Sequence, residues 1–516
     1  MTKITRRQMM RAAGATALAA PTLQTLLWSH EARAAIGDTL SIAYSAAPAG
    51  WDPNTGPQAT NPGNQSIFRS IYDPYMVQRE DLKVVPGVID EFGWNEDRNG
   101  IHFRLREGVK WHDGMAVTPA DIVWNLERLY DPNVGAPLVP VFNAITNIRV
   151  DGRRIMFELK DYRATMLERL VNLGTYLIPP HYYKEVGKEG FEKKPMGSGP
   201  YVFDHYERGS FVRLKAFHDY WGGKPPFETV IFKIVTDPSS RVAEIERGTS
   251  DITLDIPYEE YDRLRVKPGF AGACTPLANI AMVFINNEGP FADANVRKAA
   301  VHAVDKKTIV ARLHRGYGVP IDTLMAPEYA SYDPTIKAPY DPKLAAQLLA
   351  KSGYSREKPI ELTFQTTRGY KPKDYETVQA IAEMWRRVGI KANIEVYEIA
   401  KHFELRYAHK LAPAAFYDWS NTTADPEATL SAAMMSNSLH SSWKSKDLDE
   451  RIAPLFKEKD NAKRLAGYRE VNRYIAENAY VLPLFQYYRP VIYKAELAFK
   501  PHTAGYLLPF SMSRKA

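Results

Sequence analysis

One cysteine, Cys274, stands in a chain of 516 residues. An intramolecular disulfide is therefore excluded, and so are cysteine-rich zinc and iron–sulfur sites, which need several thiolates at set spacings. Cys274 itself reads as a small buried hydrophobe. The twelve histidines form no tight cluster. His402 and His409 lie seven residues apart, about two helical turns, so no metal ligand set and no cofactor is predicted. Gly-x-Ser-x-Gly, His-Glu-x-x-His and the phosphate-cradling Gly-x-x-x-x-Gly-Lys loop are absent too. No catalytic residue is predicted, although a glycosidase's carboxylate pair would leave no short motif. Beyond residue 34 no segment approaches 18 apolar residues, so the body of the chain is expected to be soluble.

Basic runs are also lacking. The formal charge is +7, yet Lys3, Arg6, Arg7, Arg11 and Arg33 against Glu31 place more than half of it in residues 1–34. No run of five Lys or Arg follows, and nucleic acid is set aside as a partner.

Residues 1–34 instead form an address. Arg6-Arg7 precedes a weakly apolar stretch, Ala12 to Leu27, and Ala32-Arg33-Ala34 supplies small residues for a signal peptidase. The arginine pair is similar to a twin-arginine signal. Export through that translocase, cleavage near Ala34 and a periplasmic location are predicted.

The body reads as α/β. Thr39 to Ser45 alternates as a strand, and Gly100–Arg106 and Arg154–Leu159 are further strands. Thr118-Pro119-Ala120-Asp121 starts a helix, with Thr as N-cap and Pro in the first turn. Val296–Arg312, Pro342–Lys351, Tyr375–Val388 and Lys463–Asn478 read as helices, and Ile390–Val396 and Tyr480–Gln486 as strands. Helix, glycine turn and strand in sequence place ligands at strand ends.

Several segments, in order, resemble the peptide/nickel/opine class of extracellular solute-binding proteins of ABC importers (family 5). They are Trp111-His112-Asp113-Gly114, Gly197-Ser198-Gly199-Pro200-Tyr201, Tyr220-Trp221-Gly222-Gly223-Lys224-Pro225, Phe284-Ile285-Asn286-Asn287, Tyr340-Asp341-Pro342-Lys343 and Asp425-Pro426. Each is short; their shared order over nearly the whole chain makes them specific. His112 and Asp113 are read as turn chemistry rather than catalysis.

The resemblance implies a two-lobed periplasmic-binding-protein fold of type II, with an extra subdomain in the first lobe and hinge closure over an interlobe ligand. It places lobe 1 at 36–277 plus 489–516 and lobe 2 at 278–488, with crossovers near Pro276–Met282 and Pro483–Pro490. It implies a monomer that captures a peptide or other small organic ligand and delivers it to ABC permease subunits, without an enzymatic step. A metal or haem carrier of the same fold is the alternative, and a secreted hydrolase a more distant one.

In dipeptide binders of the family an Asp before Asp-Pro pairs with the ligand's ammonium. Counting back from Asp425-Pro426 puts Thr422 at that position, and a hydroxyl cannot supply a counter-charge. Asp418 could serve from a shifted place, or be a turn residue. The other candidate contacts are Ser45 and Ala46 after the first strand, Asn279 in the crossover, and Ser420 and Asn421. Trp419 is either a stacking face or a core residue. Arg368 is either an anion-binding fork or a solvated loop side chain.

Overall fold

The computed structural model describes residues 39–515 apart from 60, 172, 173, 439 and 442; the signal segment expected over residues 1–34 lies outside them. Its backbone is one eleven-stranded sheet. In chain order the strands are β1 (Thr39–Tyr44), β2 (Tyr201–Glu207), β3 (Phe211–Ala216), β4 (Thr229–Ile234), β5 (Ile252–Leu254), β6 (Phe270–Ile285), β7 (Gly318–Pro320), β8 (Ile360–Thr366), β9 (Ile390–Val396), β10 (Ala414–Ser420) and β11 (Val481–Lys494). Their spatial order is β9-β8-β10-β6-β11-β5-β1-β4-β3-β2, with β7 beside β11.

β1 is parallel to both neighbours, β4 and β5, and β8 is parallel to β9 and β10. Central parallel strands are covered on both faces, which is why four of the six residues of β1 are buried. β6 and β11 are the long members, antiparallel to each other, and they run from one half of the molecule into the other. Their register shifts between Pro276 and Ile280, within the crossover read from the sequence. The half built on β1–β5 is the first lobe, and the half built on β8–β10 is the second.

Each lobe has its own core. Leu40, Ile42, Leu214, Val230 and Phe232 pack together in the first, beside a four-stranded antiparallel sheet whose core holds Phe103, Trp111, Ile122 and Phe157. In the second, Val283, Phe364, Trp385 and Ile390 cover one face of the sheet, and Met282, Phe284, Trp443 and Tyr468 the other. Among the described residues no helix is long and apolar enough to cross a membrane.

Local signals set the helices. Thr118 and Asp121 form a reciprocal capping box at the start of helix Pro119–Tyr130. The single helix expected over Val296–Arg312 is two, Ala294–His302 and Lys306–Leu313. The break has a cause in Asp305. Its carboxylate accepts from the Thr308 backbone at 3.0 Å and the Thr308 hydroxyl at 2.7 Å, so it caps a new helix.

The glycine and tryptophan motifs converge on one structural knot. His112 accepts from the Gly197 backbone through Nδ1, its Nε2 lies 3.0 Å from the Gly199 carbonyl, and burial pushes its ring down to about 4, so it stays neutral. A Cβ on Gly197 would sit 2.2 Å from the Ile71 carbonyl oxygen, so only glycine permits that approach. Ser198, Tyr220 and Trp221 all donate to buried Asp73. His112 is therefore held as a packing and hydrogen-bonding residue of the first lobe.

Candidate functional site

β10 ends where β6 changes register, so Ser420 comes to stand opposite Asn279. Residues of one face alternate from there. Asn279, Asp418 and Ser420 share one face of the second lobe's sheet, and Trp419 points to the other. On the first face the Asn279 amide donates to Asp418 at 2.8 Å, and the Lys371 ammonium lies 3.0 Å from the same carboxylate. The Lys371 ammonium also lies 4.9 Å from the centre of the Tyr370 ring. Burial works to raise the Asp418 carboxyl, but Lys371, Asn279 and the Arg406 charge outweigh it and hold the group below its usual value. Asp418 is thus an ionised residue within a strand, already paired inside the protein.

Lys371 and Tyr370 are aimed by the loop after β8. Buried Asp374 accepts from the backbone N–H groups of Gly369, Tyr370 and Lys371 at 2.9, 3.0 and 3.3 Å, and from the Thr367 hydroxyl at 2.7 Å. That closes the loop against the helix Asp374–Arg386. Arg368, in the same loop, is exposed, and its guanidinium lies 3.9 Å from the centre of the Tyr375 ring.

The loop after β10 is fixed from within. The Asn421 amide donates to the Asp425 carbonyl and the Thr429 hydroxyl, and its oxygen accepts from Thr423. Ala424 adopts a left-handed φ of 56°. Asp425 caps helix Pro426–Met434 and is held bidentately by Arg464. Asn421 is therefore a loop-shaping residue with its polar groups used locally. Thr422 is buried, and its carbonyl accepts from Gln78 of the first lobe at 2.6 Å. Its side chain interacts with the Tyr506 hydroxyl. Thr422 thus faces the first lobe.

Trp419 lies in the core of the second lobe, with the Arg406 guanidinium 4.9 Å from its ring centre and His440 edge-on. His402 and His409 do not meet a common partner: His402 is buried against Gln365 and the Phe416 carbonyl, and His409 contacts the Ser441 carbonyl. Ser45 and Ala46 leave the end of β1, half-buried and exposed respectively, on the first-lobe side.

A second interlobe contact was invisible in the sequence. The Thr165 hydroxyl of the first lobe donates to Glu427 of the second at 3.1 Å, and Arg169 reaches the same oxygen at 3.8 Å. Glu168 lies beside them; burial foremost, then repulsion from Asp425 and Glu427 across the gap, pushes its carboxyl up to about 7. Burial likewise raises Glu427. One oxygen of each, Oε2, is buried without a hydrogen-bond partner.

Lys371, Tyr370, Gln78, Glu168 and Tyr506 were missed by sequence reasoning because their partners lie 47 to 344 positions away. No local spacing carries such pairs.

Comparison with known proteins agrees with this architecture. The model of bacterial extracellular solute-binding proteins, family 5, middle region, matches residues 83–439. Heme-binding protein A of Haemophilus influenzae is 27% identical over 80% of this chain and 80% of its own length. A dipeptide-binding protein of Escherichia coli is 26% identical over 84% of this chain and 86% of its own. The crystal structure of NikA from Brucella suis in complex with Fe(III)-EDTA superposes with a TM-score of 0.83 over 92% of this chain and 100% of that one, at 21% identity.

Proposed function

This chain belongs to the bacterial extracellular solute-binding proteins of family 5, the capture components of ABC importers, and we propose that it encloses a peptide or other small organic solute between its lobes for delivery to a membrane permease. The observation that carries the reading is the pair of long strands, β6 and β11, that joins two separately cored lobes while Gln78, Thr165 and Tyr506 of the first reach Thr422 and Glu427 of the second. Such a joint lets the lobes part and close, and a solute touching both shifts that equilibrium toward the closed form. We assign residues 36–277 with 489–516 to the first lobe and 278–488 to the second. The chemistry is binding, with no bond made or broken.

The test is thermal unfolding of the purified protein against peptides, opines, sugars, organic acids, metal chelates and haem. A ligand at about 100 times its Kd is expected to add about 2.7 kcal/mol, read as a raised Tm. A screen with no stabilising compound would count against solute capture, and turnover of a bound compound seen by mass spectrometry would count against a purely binding role. Haem stays in the panel because a relative bears that name.

We further propose export by the twin-arginine route, with cleavage near Ala34, into the periplasm as a monomer. The support is Arg6-Arg7 before a weakly apolar stretch. Arg6→Lys with Arg7→Lys is expected to leave the precursor unprocessed in the cytoplasm, as seen by fractionation. Normal processing of that variant would point to a different export route.

A further inference from the structure

We propose that the cleft selects an organic anion that carries no free ammonium group, and that Lys371 sets this preference by serving as an internal cation for Asp418. The inference rests on the solute-capture reading and names the class of solute.

A carboxylate facing a bound solute is the group that would hold its ammonium, because a desolvated cation needs a counter-charge. Asp418 has the right chemistry, but its charge is already matched by a cation of the protein's own. Lys371 at 3.0 Å and the Asn279 amide at 2.8 Å both engage its Oδ2. Its side chain is 8% exposed and that of Lys371 24%. A ligand ammonium would have to compete with Lys371 for one carboxylate charge, and that exchange is unfavourable. Thr422 adds no charge, and its groups are turned to Gln78 and Tyr506.

Among the described residues, the loop after β8 carries one unmatched positive charge, Arg368. Lys371 pairs with Asp418 and Arg368 belongs to the loop that Asp374 closes, while Arg406 lies on the opposite face of the sheet against Tyr417 and Trp419. Asp374 is closed by the backbone of its own loop, and Asp418 by Lys371. Lys373 is offset by Glu376 at 3.9 Å. The Arg368 guanidinium is exposed, and among the described residues no carboxylate pairs with it. A solute bearing carboxylate and no ammonium fits this distribution. A zwitterion puts its positive end against a wall that already holds its own cation.

The loop explains why Lys371 can do this. Asp374 fixes three consecutive backbone N–H groups, so the Lys371 stem starts from a set direction. Its ammonium also lies 4.9 Å from the Tyr370 ring centre and 6.0 Å from that of Tyr487, two faces that favour a cation. The pair is built into the wall.

The experiment is isothermal titration of wild-type protein and Lys371→Met with matched probes: Ala-Phe, N-acetyl-Ala-Phe and Ala-Phe amide. The best compound from the thermal screen is run alongside. For the wild type, N-acetyl-Ala-Phe is expected to bind at least ten-fold more tightly than Ala-Phe, and the screen's best compound to be anionic. In Lys371→Met the freed Asp418 is expected to raise affinity for Ala-Phe and its amide at least ten-fold and to weaken the anion by a similar factor. Should Lys371→Met unfold, the double variant Lys371→Met with Asp418→Asn removes both charges. It is expected to lose the anion preference without gaining affinity for the amide. A wild type that prefers Ala-Phe to its N-acetyl form overturns the proposal while leaving solute capture standing. So does a variant, single or double, whose preferences match the wild type, and so does a single variant that gains no ammonium binding.

Discussion

Ligand affinity is expected to fall about twenty-fold as pH rises from 5.5 to 8, and Glu168→Gln is expected to flatten that dependence. The cause is the carboxylate cluster that closure assembles. Glu168 of the first lobe meets Asp425 and Glu427 of the second, with Arg464, Arg169 and Tyr468 facing the same group of charges. Burial, with those like charges, holds the Glu168 carboxyl at about 7 in this closed arrangement. In an open form the same group is hydrated and near its ordinary value of 4.5. The closed state therefore binds the extra proton between about 4.5 and 7. Its advantage is fully present below that window and is lost as pH climbs through 7. The limit is about 3 kcal/mol. Glu427, raised in the same direction, adds to the effect with the same sign. Titration calorimetry at constant ionic strength reads it directly. A wild-type profile flat between pH 5.5 and 8, or one that Glu168→Gln leaves unchanged, would rule the cluster out as its source.

Replacing Arg128 by Met is expected to cost about 3–5 kcal/mol of stability, because it strands the Asp52 carboxylate in the interior. The two side chains are 3% and 1% exposed and form a bidentate pair, with one contact at 3.1 Å. Arg128 also lies 4.7 Å from the centre of the Tyr183 ring. Asp52 belongs to the loop that carries Ser45 and Ala46 away from β1, and Arg128 to the helix Pro119–Tyr130. The pair thus holds the first-lobe side of the cleft to its subdomain. Removing both charges together, as Arg128→Met with Asp52→Asn, is expected to recover most of the loss, since no uncompensated charge remains. Urea unfolding followed by far-ultraviolet circular dichroism distinguishes the cases. A single variant within about 1 kcal/mol of wild type would mean that water reaches Asp52 and that the pair is not a buried one.

How far the molecule could be read before folding differs between its parts. The helix at Pro119 begins at a Thr-Pro-x-Asp pattern whose caps are three residues apart, and the structure forms them as read. The strand Ile390–Val396 follows Gly389, whose φ of 110° makes the turn. The break at Asp305 was equally local, yet apolar periodicity ran across it and hid the cap. Among the site residues, Asn279 and Ser420 were placed by family position, and β6 pairs with β10 to bring them together. Trp419 went to the core instead, because alternation on a strand turns it away from Asp418.

What the sequence determined alone is whatever depends on neighbours a few positions apart: capping, strand alternation, glycine turns, the ordered motifs that mark the family, and the absence of thiols for a disulfide. Those interactions are set by backbone geometry within one or two turns, so their partners are visible side by side. The charge state of the cleft was decided elsewhere. Asp418 meets Lys371 across 47 positions, Thr422 meets Gln78 across 344, and Thr165 meets Glu427 across 262. A carboxylate's usefulness to a ligand depends on whether another part of the chain has already neutralised it. Desolvation and Coulomb attraction act through space, over a few ångströms that only the assembled sheet brings together.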